Sequence, residues 1–333
     1  MDLSVSQPLC PCFTLERLNP NLQAWTDRLR SGDPRALARA ISAVENRAPE
    51  SSPLLKALFP HSGQARIFGL TGAPGAGKST LVDQLAHHYR RAGQTLGIIA
   101  VDPTSPYTGG AILGDRIRMQ EHHADTGIYI RSMATRGSLG GLARTTADVA
   151  TVLDASGRNL ILIETVGVGQ DEVDIVRVAD VTVVILVPGM GDDVQTIKAG
   201  IMEIADIFVI NKSDREGAES VEREIRVVQS LATRTDGWTP PIVKTVATTG
   251  VGVADLVAVI ACYEAYLQKQ NLVLKRSVQN WQSRLIEMLR DAMLEQARAA
   301  LGDGQVERYA EEVAEHKRDP YTLVEEIVGK AGK

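Results

Sequence analysis

Gly72-Ala73-Pro74-Gly75-Ala76-Gly77-Lys78-Ser79 is the stretch that decides the fold. It satisfies G-x-x-x-x-G-K-[ST] at every fixed position, and Thr80 carries it into a helical pattern. The apolar run Ile67–Leu70 before it reads as a strand, and Ser79–Ala92 behind it as an amphipathic helix. Glycines let the turn wrap closely, so its N–H groups and the helix N-terminus face phosphate oxygens. In that frame Lys78 neutralises β- and γ-phosphate charge, and the Ser79 hydroxyl ligates Mg²⁺.

Outward from this turn, apolar runs alternate with amphipathic stretches. Strands are expected at Leu96–Val101, Ile128–Arg131, Asn159–Ile163, Val181–Val187, Ile207–Ile210 and Ile242–Thr245. Helices are expected at Leu139–Ala155, Ile197–Glu203, Ser220–Leu231 and Gly252–Lys269. This alternation predicts an α/β fold, a P-loop NTPase with a mostly parallel sheet flanked by helices. Before it, Ser31-Gly32-Asp33-Pro34 punctuates two helical patterns, and the Pro49 to Pro53 stretch reads as a turn-rich linker. After it, Trp281, Leu285, Met288, Leu289, Ala292 and Gln296 trace one helical face, and a short helix follows Asp319-Pro320. The expected division is an N-terminal helical extension (1–55), a nucleotide-binding domain (56–270) and a C-terminal helical arm (271–333).

The base is read from Asn211-Lys212-Ser213-Asp214, an N-K-x-D pattern behind a strand. A carboxylate at Asp214 accepts from guanine N1–H and the exocyclic amine, a donor pair that adenine lacks. Asn211 can donate to base N7, the Lys212 stem can cover the ring, and a backbone N–H of Val246-Ala247-Thr248 can meet guanine O6. The expected ligands are therefore GTP and GDP with Mg²⁺. Asp102 and Glu164 end neighbouring strands, where ligands sit in open α/β sheets. With Asp115 and Ser79 they make the candidate metal set. Lys78, Asp115 and Glu164 are candidate catalytic residues. Gly167 can bond the γ-phosphate and lose that bond on hydrolysis. Gln170 stands near the water-positioning place in a different frame. Arg116, Arg118, Arg131 and Arg136 are each candidates for a charge-stabilising finger.

Of 333 residues, 44% are hydrophobic and 23% charged, enough for a sizeable core. Aromatics are only 4%, so the core must be aliphatic, which suits a parallel sheet buried on both faces. The net charge of −5 and the absence of a basic cluster argue against a nucleic-acid partner. No uncharged apolar run reaches the roughly 20 residues of a membrane helix, and no signal peptide is evident. A cytoplasmic protein is expected. Three cysteines make no disulfide framework, and Cys10-Pro11-Cys12 has no His or Cys pair nearby to complete a metal site.

These motifs, with Val101-Asp102-Pro103-Thr104-Ser105, Ile112-Leu113-Gly114-Asp115-Arg116, Glu164-Thr165-Val166-Gly167-Val168-Gly169-Gln170 and the block Pro188 to Asp206, appear in order. The sequence resembles the MeaB/ArgK-type G-protein chaperones from roughly Gly32 to its C-terminus. The resemblance implies a dimeric SIMIBI-type GTPase whose partner is an adenosylcobalamin-dependent acyl-CoA mutase. The GTPase would gate cofactor loading and protect or reactivate the mutase. It further implies a third switch at Asp192–Lys198, with Lys198 coupling partner binding to hydrolysis, and a C-terminal dimerisation arm. Departures from the pattern are Ser132-Met133-Ala134-Thr135-Arg136, Val246 in place of a usual Ser, and the Cys-Pro-Cys tail. Three rival readings stand beside it. A nickel-delivery GTPase needs Cys/His ligands, and His87-His88 and His122-His123 have no cysteine neighbour. A kinase or ATPase of a transport system needs an acceptor motif that is not visible. A GTP-bound scaffold would not hydrolyse.

Overall fold

The computed structural model describes residues 19–102, 125–134, 141–165, 178–189, 204–231, 234, 236–302 and 304–331. Helix α1 (Pro20–Arg30) opens with Pro20 in its first turn and the Asn19 side chain accepting from the Asn21 N–H at 3.0 Å. Helix α2 (Pro34–Glu45) repeats the device: Asp33 accepts from the Arg35 and Ala36 N–H groups at 2.8 and 3.2 Å. The Pro49 to Pro53 stretch is not a linker, because α3 (Ser51–Leu58) begins inside it. Pro53 lies in the first helical turn, where an N–H has no intrahelical acceptor to lose, and Leu54 and Leu58 bury completely.

Seven strands follow: β1 (Arg66–Gly72), β2 (Leu96–Asp102), β3 (Ile128–Ala134), β4 (Leu160–Glu164), β5 (Val181–Leu186), β6 (Ile207–Asn211) and β7 (Ile242–Thr245). They form one parallel sheet in the order β3-β2-β4-β1-β5-β6-β7. Strand β1 lies between β4 and β5, so the chain leaves it to one side first and to the other later. That reversal opens a crevice beyond the strand ends. Among the described residues the flanking helices are α4 (Lys78–Arg91), α5 (Gly141–Ala155), α6 (Ala218–Leu231) and α7 (Val253–Lys269); the helix expected at Ile197–Glu203 lies outside them. The C-terminal arm consists of α8 (Leu272–Leu301), α9 (Gln305–Ala314) and α10 (Pro320–Ala331).

Alternation along β4 divides the core. Leu160 and Leu162 pack with Leu81, Leu85, Leu256 and Ile260 of α4 and α7. Ile161 and Ile163 face Val149 and Leu153 of α5, together with Leu29, Leu37, Ile41 and Leu54 of the N-terminal helices. Those helices thus share a core with the sheet's second face. Asp154 on α5 adds a polar tie, accepting from the N–H groups of Gly63, Gln64 and Ala65 just before β1.

Helix α8 has 30 residues and buries none of them, giving a rod about 45 Å long at 1.5 Å per residue. Its root is held by charge. Arg276 donates to both oxygens of Asp206 at 3.0 Å, and Tyr263, Arg234 and the Thr182 N–H donate to the same carboxylate.

Candidate nucleotide site

The glycine turn sits at the end of the central strand β1. Two of its glycines are required by packing rather than by ligand. At Gly72 (φ +144°) a Cβ would overlap the Ile185 carbonyl of β5. At Gly77 (φ +90°) it would overlap the Asn211 side-chain nitrogen. Lys78 is 6% exposed and its Nζ donates to the Gly72 and Ala73 carbonyls at 2.7 and 3.0 Å, which holds the ammonium over the turn.

The Ser79 hydroxyl donates to Glu164 Oε1 at 2.6 Å, a charge-assisted distance. Glu164 is buried at the end of β4. The next residue, Thr165, is fastened to β1, its N–H to the Leu70 carbonyl at 3.1 Å and its hydroxyl to Thr71 at 3.0 Å. Ala100 on β2 pairs with Glu164 on β4, so Asp102 ends the adjacent strand on the same sheet edge. Two hard oxygen groups joined beside the phosphate turn suit Mg²⁺ by donor chemistry. Donation of the Ser79 proton to Glu164 also leaves the hydroxyl lone pairs for a cation. Asp115, Gly167, Gln170 and Lys198 lie outside the described residues, as do Arg116, Arg118 and Arg136. Arg131 is taken up elsewhere: its guanidinium binds the Glu45 carboxylate on α2.

The base side is built from the ends of β6 and β7, where Asn211 pairs with Thr245. Asn211 donates one amide N–H to the Ala76 carbonyl at 2.8 Å, and its Oδ1 accepts from Thr245 Oγ1 at 3.1 Å and the Ala247 N–H at 3.0 Å. The second amide hydrogen has no acceptor among the described residues. Lys212, in the left-handed region at φ +54°, donates to the Gly75 carbonyl at 2.7 Å, which stretches its stem across the entrance. Asp214 is exposed at the rim. The Val246 N–H is engaged by Val251 and the Ala247 N–H by Asn211. The Thr248 N–H has no acceptor among the described residues.

No local pattern signals the grip of Asn211 and Lys212 on the phosphate turn, because each partner is a backbone carbonyl more than a hundred residues away. None marks Asp206 either, a single acid before an apolar run. The C-terminal stripe divides: Trp281 packs edge-on against Phe59 with centroids 5.4 Å apart, whereas Leu285 and Leu289 are exposed. No helix among the described residues is long and apolar enough to cross a membrane.

A family profile described as "Methylmalonyl Co-A mutase-associated GTPase MeaB" matches residues 37–302. A putative GTPase of Pyrococcus abyssi is 46% identical over 310 residues, covering 91% of this chain and 96% of the relative. The mitochondrial methylmalonic aciduria type A homolog of Mus musculus is 34% identical over 308 residues, covering 84% of this chain and 74% of the relative. Among solved structures, one titled as a LAO/AO transport system kinase superposes with a TM-score of 0.70 at 26% identity, covering 95% of this chain and 99% of that one.

Proposed function

This chain belongs to the MeaB family of methylmalonyl-CoA mutase-associated GTPases, and from that premise we propose that it is the G-protein chaperone of an adenosylcobalamin-dependent acyl-CoA mutase. The chain is a GTP hydrolase. The mutase reading is carried by the family match across residues 37–302, which spans both the phosphate turn and the base-reading strand end.

In this reading the turn Gly72–Thr80 cradles the phosphates and Lys78 balances the charge that develops on the γ-phosphate. Asp214 selects guanine, Asn211 meets N7, the Lys212 stem covers the ring, and the Thr248 N–H meets O6. Ser79 would hold Mg²⁺ with Asp102, Asp115 and Glu164 around it, and the ion would supply positive charge against the phosphates. Glu164 accepts the Ser79 proton and so aims the hydroxyl lone pairs. Gly167 senses the γ-phosphate, and Lys198 carries the partner's signal to the hydrolytic site.

Residues 271–333 form the dimerisation arm. Ile286 and Leu289 are each 61% exposed, and covering about 800 Å² per subunit there would suffice for a stable homodimer. The protein acts in the cytoplasm.

The test is a pull-down from native lysate with the chain loaded with a non-hydrolysable GTP analogue, followed by GTPase assays with the captured mutase. Co-purification and faster hydrolysis are expected. A purified mutase that neither binds nor changes turnover refutes the chaperone role while leaving the GTPase intact.

A further inference from the structure

A cavity of about 490 Å³ lies where the end of α2, α3, α5 and α8 meet, and it shares no residue with the nucleotide site. Its size falls within the range of small-molecule sites, roughly 300–1,000 Å³. Its lining includes the apolar side chains Leu55, Phe59, Trp281 and Met288. The same lining carries four cations, Arg47, Lys56, Arg144 and Arg284, and the carboxylates Asp148 and Glu295. This basic excess stands out in a chain of net charge −5.

The charges do not cancel. Asp148 accepts from Arg284 at 2.6 Å, and Arg144 pairs with Asp291 at 3.0 Å. Arg47 and Lys56 are exposed; Arg47 acts on Asp148 through its field, and Lys56 makes no ion pair among the described residues. Arg284 Nε is buried and has no acceptor among the described residues. A buried donor without an acceptor is costly, and a ligand oxygen here would supply one. The Arg284 guanidinium lies 4.6 Å from the Trp281 ring, and this contact is a seam between charged and apolar lining. The first turn of α3 also opens here without a side-chain cap, with Ser51 and Ser52 on the lining. An anionic head at this seam would meet Arg284, Arg47 and Lys56 while its body lay against Phe59 and Trp281.

We propose that this cavity binds a small amphiphilic anion, an apolar body carrying one carboxylate, phosphate or sulfonate. The inference stands apart from the mutase reading.

The probe is anilinonaphthalene sulfonate, titrated into the full chain beside its uncharged analogue, phenyl-naphthylamine. The variant is Arg47→Glu/Lys56→Glu, at exposed positions away from the nucleotide. The sulfonate dye is expected to lose about tenfold or more in affinity, as removal of charge-assisted contacts implies. The neutral dye, the melting temperature and the basal GTPase should be unchanged. Decanoate or octyl phosphate should displace the sulfonate dye from wild type, and which one does so identifies the head group. Unchanged sulfonate affinity in the variant overturns the proposal, since the dye then sits on the exposed face of α8. Equal losses for both dyes, or no displacement by either competitor, overturn it too.

Discussion

The Asn211 amide bridges the two halves of the nucleotide site, donating to the Ala76 carbonyl at 2.8 Å while accepting from the Ala247 N–H at 3.0 Å. The side chain is 2% exposed, so both contacts are shielded from water. Base recognition and the phosphate turn are thereby one rigid unit. Asn211→Ala leaves a carbonyl and an N–H unpaired inside it. GTP and GDP affinity should fall together, by roughly 10- to 100-fold. Calorimetry with both nucleotides checks this. Loss confined to GTP would show that Asn211 serves the γ-phosphate rather than the frame.

Asp214 is exposed, three residues beyond the end of β6. Asp214→Asn should shift preference from guanine toward xanthine nucleotides, because an amide presents a donor to a carbonyl. Calorimetric titration of both nucleotides is the measurement. A variant that binds GTP as tightly as wild type would remove Asp214 from base reading.

Lys78 lies over the phosphate turn, held by two of its carbonyls. Lys78→Ala should cost about 3–4 kcal/mol of transition-state stabilisation, a loss of several hundredfold in turnover. Ser79→Ala removes the donor to Glu164 and should abolish the Mg²⁺ dependence of GTP binding. Single-turnover hydrolysis and a magnesium titration test the two. Wild-type turnover in purified Lys78→Ala protein would place the active site elsewhere.

Lys198 lies outside the described residues, in the segment read as a third switch. Lys198→Ala should keep GTP affinity within a few-fold and lose most of the stimulation given by a cognate mutase, because the coupling free energy acts between sites. A GTPase titration with mutase, run beside a binding isotherm, decides it. Equal stimulation would return the segment to an ordinary loop.

Burial pushes the Asp206 carboxyl above its ordinary range, and Arg276 is the leading opposing influence. A raised native pKa means that the folded state holds the proton more tightly than the unfolded chain. Stability from this group is therefore lost as pH rises from the unfolded value toward the native one. Arg276→Ala pushes the carboxyl further up and widens that window. The variant should lose about 3 kcal/mol near neutral pH, since a buried pair is broken, and less in acid. Urea denaturation at about pH 5 and about pH 8 measures both. A larger deficit at the lower pH would contradict the burial argument.

Local pattern was enough for much of this. The G-x-x-x-x-G-K-S turn, the N-K-S-D strand end and the alternation of apolar runs with amphipathic helices are contiguous signals. They specify an α/β sheet and a guanine nucleotide because glycine placement, side-chain period and donor–acceptor type act over a few residues. The helix inside Pro49 to Pro53 was misread for the same reason: Pro53 reads as a breaker until its place in the first turn is known. Tertiary structure alone decided that Gly77 is small to admit Asn211, that Glu45 takes Arg131, and that Asp206 gathers Arg276, Arg234 and Tyr263 at the root of α8. Each of those side chains is selected by a partner far along the chain. Only the folded chain brings them within hydrogen-bonding range, and only its dry interior makes an unanswered charge or amide costly.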